Sequence, residues 1–168
     1  MERQIVFRGK RIKDGKWIFG NLADYSMKVF NTTIEKKIIF GNILNFATDN
    51  FGFVVDDCAV DPDTIGQFTG LLDKNGKEIY EGDVIRIDSH AWLDWKEFDS
   101  VNAEVIFEEY MFDARWRNPD AGQPIPFHPD DDPDYEPEYI CEMLANLPNT
   151  IEIIGNRFDN PSLISDKR

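Results

Sequence analysis

Residues 69–87, TGLLDKNGKEIYEGDVIRI, constrain the fold more than any other stretch of the chain. Short apolar runs alternate there with two polar corners, Asp73-Lys74-Asn75-Gly76 and Glu81-Gly82-Asp83. Runs this brief cannot sustain a stable amphipathic helix, but they are long enough for strands. The first corner reads as a four-residue turn closed by glycine, across which residues 67–71 pair with residues 78–80. The second returns the chain into Val84-Ile85-Arg86-Ile87, a strand with β-branched bias. A phosphate-gripping loop is the competing reading. However, GLLDKNGKEIYEG and the earlier GKRIKDGKWIFG lack both GxxxxGK[ST] and GxGxxG, and no long helix follows either. Gly70, Gly76 and Gly82 therefore read as turn or barrel-corner glycines.

The same punctuation runs through most of the sequence. Asp14-Gly15 is a strong hairpin signal between residues 4–12 and 16–22. In the second of these runs Trp17 and Phe19 point one way, Ile18 and Gly20 the other. Further strands are expected at residues 27–31, 34–40, 43–46, 51–55, 101–107 and 151–154. Asp61-Pro62-Asp63-Thr64-Ile65-Gly66 breaks the pattern and marks a division into a β-rich portion, 1–60, and a second portion, 61–168. Residues 91–98 fit a helical turn or a wide loop. Residues 138–147 place Ile140, Met143, Leu144 and Leu147 at helical spacing, a short helix stopped by Pro148. Gly155-Asn156 reads as a turn. The expected fold is mainly β, with a small barrel in the second portion and one short helix near the C-terminus.

Charge narrows the function classes. The net charge is -14, and 42% hydrophobic with 13% aromatic residues indicates a chain that folds. Residues 108–139 hold ten acids against two bases, hence -8 of that charge, and six of the nine prolines. This segment reads as a long irregular insertion. So acidic a surface disfavours phosphate backbones. The basic residues Arg3, Arg8, Lys10, Arg11, Lys13 and Lys16 fall in the first hairpin, where strand alternation splits them between two faces. No apolar run of signal-peptide or membrane-spanning character occurs, so a cytoplasmic protein without membrane contact is expected. Cys58 and Cys141, without a CxxC or metal-ligand spacing, read as free thiols.

Chemistry-bearing constellations are sparse. His90 and His128 can each act as acid or base, but no nucleophile lies near them in sequence. Asp130, Asp132 and Asp134 lack the glycine and closing glutamate of an EF-hand loop. They read as a solvated loop, with a weak divalent-cation site as the alternative. Glu81 and Asp83 could do paired-carboxylate chemistry, against the simpler reading that Asp83 accepts from the amides of its own turn. Trp92, Trp95, Trp116, Tyr110, Phe112 and Phe127 have no basic groove beside them and read as core or interface anchors. Trp116, Phe127, Tyr135 and Tyr139 form the candidate partner surface. No cofactor or catalytic residue is expected.

Three segments, in order along the chain, resemble the YopX family of phage and prophage proteins. They are FRGKRIKDGKWIFGNL (7–22), IGQFTGLLDKNGKEIYEGDVIRI (65–87) and IEIIGNRFDNPSLI (151–164). The resemblance implies a β-rich N-terminal portion and a C-terminal SH3-like barrel. It makes Gly70, Asp73, Gly76, Glu81, Gly82, Asp83, Gly155 and Asn156 turn residues, and it supplies no catalytic ones. The expectation is a phage-derived accessory protein, a non-enzymatic β module that binds a protein or itself. The alternatives are an acidic nucleic-acid mimic that inhibits a host protein and a direct nucleic-acid binder.

Overall fold

Asp14 makes the first hairpin by holding both of its sides. Its carboxylate accepts from the Arg11 guanidinium at 2.8 and 2.6 Å and from the Lys16 backbone N–H at 3.2 Å. The computed structural model describes residues 5–41, 57–88, 100–108, 111–117 and 150–164. The hairpin joins β1 (Phe7–Lys10) to β2 (Trp17–Val29), and β2 turns directly into β3 (Thr32–Phe40). The short β4 (Ala59–Val60), a 3-10 turn (Pro62–Thr64) and β5 (Gly66–Leu72) follow. Next come β6 (Glu78–Tyr80), β7 (Asp83–Asp88), β8 (Ser100–Glu108), β9 (Met111–Arg117) and β10 (Ile151–Asn156). The described chain is mainly β, without a helix of seven or more residues. Two compact units divide between Gly70 and Leu71, within β5.

In the first unit the antiparallel order is β4-β3-β2-β1-β5. The sheet also curls, because Arg11 at the end of β1 bridges Val60 of β4. Ile12 donates to the Ala59 carbonyl and Asp61 to the Lys10 carbonyl, at 2.9 and 2.8 Å. Ile39, Ala59 and Val60 are buried by this curl. A side chain at Gly9 would press on Ile39 and Val60 at 3.1 Å, so glycine admits the close approach.

The second unit has the order β10-β7-β8-β9, all antiparallel. Alternate residues build its core: Ile151 beside Ile87, Ile153 beside Ile85, Ile85 beside Ala103, and Val105 beside Ala114. Ile79 and Leu71 complete it. Among the described residues this sheet is open, with β10 and β9 at its ends.

Three local expectations change. Residues 27–31 are not a separate strand: β2 runs unbroken through Met27, and the chain reverses at Phe30-Asn31, where no glycine or proline announces a turn. Residues 111–117, expected to lie within the irregular insertion 108–139, form β9, because Phe112 and Ala114 alternate onto the buried face. Gly155 and Asn156 still pair with Val84 and Asp83, across a bulge after Ile153, and the turn comes at residues 157–159. The helix expected over 138–147, the strands at 43–46 and 51–55, and residues 91–98 lie outside the described residues.

Candidate interaction surface

Of the turn residues singled out in the sequence, Gly70 ends the first unit, within β5, and the others lie in the second unit. Asp73 is 5% exposed. It accepts from the backbone N–H of Asn75 (2.8 Å), Lys77 (2.9 Å) and Ile153 (3.2 Å). Burial alone would raise its pKa, but the donors from Lys77, Ile153 and Asn75 outweigh it and hold the carboxyl below its ordinary value. Gly70 and Gly76 take positive φ, +89° and +78°. Lys74 donates its backbone N–H to the Ile151 carbonyl and pairs through its side chain with Glu152 at 2.6 Å.

The Glu81-Gly82 corner is tied in the same way. Asp83, buried, accepts the Tyr80 N–H at 2.8 Å. Gly82 at φ +81° donates to the Val105 carbonyl and accepts from the Arg157 N–H. Asn156 accepts from the N–H groups of Phe158 and Asp159 at 3.0 and 2.9 Å. At Gly155 an added side chain would meet Asn160 Oδ1 at 2.5 Å. These residues cross-brace the unit. The Asp73 and Asp83 carboxylates and the Asn156 side-chain oxygen do this by accepting backbone N–H groups.

The other sequence candidates fall elsewhere. Trp116 stands on β9. Phe127, Tyr135, Tyr139, Asp130, Asp132, Asp134, His90, His128 and Cys141 lie outside the described residues. Cys58 is half-buried, and burial, then the Asp57 charge, pushes its thiol up. Among the described residues no group of three or more His, Cys, Asp or Glu could hold a metal ion. No described helix is long and apolar enough to cross a membrane.

In the N-terminal hairpin three cations face carboxylates: Arg11 and Lys16 on Asp14, and Lys13 on Asp57. Arg8 and Lys10 share the Trp17 ring, at 4.8 and 5.5 Å from its centroid. Asp14 and Asp57 thus offset the charges of Arg11, Lys13 and Lys16, whereas the Trp17 ring leaves those of Arg8 and Lys10 in place.

The surface that composition and motifs did not reveal is the arm formed by β2 and β3. Nine cross-strand pairs run from Asn21↔Phe40 to Val29↔Thr32, while β4 covers β3 only at Lys37 and Ile38. Phe30, at the tip, is 94% exposed, and the facing pair Met27 and Ile34 is 41% and 36% exposed. At the arm's base lies an open groove of about 550 Å³, whose walls include Ile12, Tyr25, Val60, Pro62, Lys36 and Lys37. The salt bridge between Lys37 and Asp24 spans the two strands there. The available signal was the alternation of Tyr25, Met27 and Val29 with Asp24, Ser26 and Lys28, which lapses at Phe30 and again over Glu35-Lys36-Lys37.

The family model described as YopX protein matches residues 6–165. Among solved structures, the crystal structure of protein EF1440 from Enterococcus faecalis is similar at a TM-score of 0.43. Its sequence is 18% identical, over 98% of this chain and 100% of that one. No curated protein matches the sequence.

Proposed function

The chain belongs to the YopX protein family, and from that premise we propose a non-enzymatic accessory protein that works by binding a protein or a copy of itself. Phe30 carries this reading. A phenylalanine exposed to 94% at the end of a two-stranded arm buries almost none of its own ring, and Met27 and Ile34 add apolar surface on the same arm. Aromatic side chains presented in this way are the kind of anchor that a partner surface covers.

The setting is a phage- or prophage-derived protein in the bacterial cytoplasm, and its second unit is an SH3-like small barrel. What supports that reading is the antiparallel order β10-β7-β8-β9, in which β10 returns beside β7, although these four strands by themselves form an open sheet. A minority reading is an acidic mimic of nucleic acid, favoured by the -8 gathered in residues 108–139.

Affinity capture from host extract, with and without nuclease and at low and high salt, tests the proposal against both alternatives. Partner protein should survive nuclease and be lost with Phe30→Ser. Capture sensitive to salt but indifferent to Phe30→Ser would favour the mimic. Recovery of nucleic acid alone would overturn the proposal.

A further inference from the structure

We propose that the outer edge of β3 pairs antiparallel with the same edge of a second copy of this chain, on a two-fold axis at Ile34. This inference rests on the binding-module reading and names its partner. The backbone directions follow from β4. Ala59 O and Asp61 N are engaged with Ile12 and Lys10 on one side of β4. Backbone groups alternate sides along a strand, so those of Val60 turn the other way, to Lys37 of β3. The groups of Lys37 therefore point outward from the arm, and so do those of Glu35 and Thr33, two and four residues earlier. Among the described residues no strand covers β3 at Thr33 or Glu35. A strand edge of this kind is a template for another chain.

The sequence of the edge, Thr32-Thr33-Ile34-Glu35-Lys36, selects a copy of itself. Antiparallel pairing about Ile34 sets Ile34 against Ile34, Thr33 against Glu35 and Thr32 against Lys36, so no like charges meet. Centring on Glu35 or on Lys36 would oppose two identical charges, which cross-strand pairs disfavour. In the favoured register the outward groups of Thr33 and Glu35 exchange hydrogen bonds with those of the other copy. Two Ile34 side chains and two Met27 side chains, all partly exposed in a single copy, then share one face. An isologous contact of this type closes on itself.

Sedimentation velocity on the full chain across a wide concentration range tests the register. The wild type should associate reversibly. Ile34→Lys and Ile34→Glu, each placing like charges on the axis, should each weaken association by about tenfold or more, and an equimolar mixture of the two should regain it. Glu35→Pro is the second variant. It removes an outward N–H that β2 does not use, so circular dichroism should stay that of the wild type while association falls by about tenfold. A wild type that remains monomeric overturns the inference, while the capture experiment still decides the binding-module reading. Association unchanged in all three variants overturns the edge and leaves self-assembly standing. A mixture as weak as its two components overturns the two-fold centre at Ile34.

Discussion

Asp73 and Ile153 are 80 residues apart, yet the aspartate carboxylate accepts the isoleucine's backbone N–H at 3.2 Å. The carboxylate that shapes the turn after β5 thereby also fixes β10 at the closing end of the second unit. A turn residue has become a long-range clamp. Its replacement should therefore cost more than a local turn would.

Asp73→Ala leaves the N–H groups of Asn75, Lys77 and Ile153 without this acceptor and should destabilise the protein by about 2–3 kcal/mol. Asp73→Asn keeps one oxygen and should cost about half as much. The pH dependence has a definite sign. The folded carboxyl titrates below its ordinary value of 3.8, so its stabilisation is fully present above that value and fades as pH falls through the lower, folded pKa. Urea denaturation at neutral pH and near pH 3 should find the gap between wild type and Asp73→Asn narrower in acid.

Gly20 and Gly82 both need positive φ, but their surroundings differ. A side chain at Gly82 meets Phe158 Cε2 at 3.1 Å, the edge of a ring that can yield, so Gly82→Ala should cost about 1–2 kcal/mol, chiefly from the backbone. At Gly20 the same atom would lie 2.0 Å from the Phe40 carbonyl oxygen, which belongs to the paired strand. Thermal unfolding should rank Gly20→Ala as clearly the more damaging.

Phe30 holds φ at +52°, in a two-residue loop between Val29 and Thr32 where glycine is the favoured occupant. Phe30→Gly should therefore raise stability by up to about 1 kcal/mol. The same change should weaken capture of the partner. A rise in melting temperature together with lost binding would identify Phe30 as kept for contact. Unchanged binding would remove it from the interface.

Asp14 offers a local titration. The hydrogen bonds from Arg11, first in size, lower its pKa against an opposing effect of burial, and the Lys16 N–H lowers it further, to about 2. Carboxyl chemical shifts followed by NMR should show a midpoint near that value. Arg11→Met should return the midpoint toward 3.8, and a midpoint already at 3.8 in the wild type would show that the Arg11 pair does not persist in solution.

What the sequence determined by itself is its punctuation. Asp14-Gly15, Asp73 through Gly76 and Glu81-Gly82 impose reversals through local side-chain acceptors and left-handed glycines, so β5, β6 and β7 could be placed from neighbouring residues alone. The resemblance to the YopX family was legible for the same reason, since its motifs are largely these turns. The tertiary structure decided whatever depended on strands meeting at a distance. Alternating apolar residues form β9 only because β8 offers a ladder and a core face for Phe112 and Ala114. The reversal at Phe30-Asn31 carries almost no local signal. It is held by nine cross-strand pairs, which jointly stabilise a turn that Phe30, at φ +52°, disfavours. That is also why the arm and its exposed phenylalanine were invisible in the chain: exposure is a property of which strand ends where, and strand pairing fixes that only after folding.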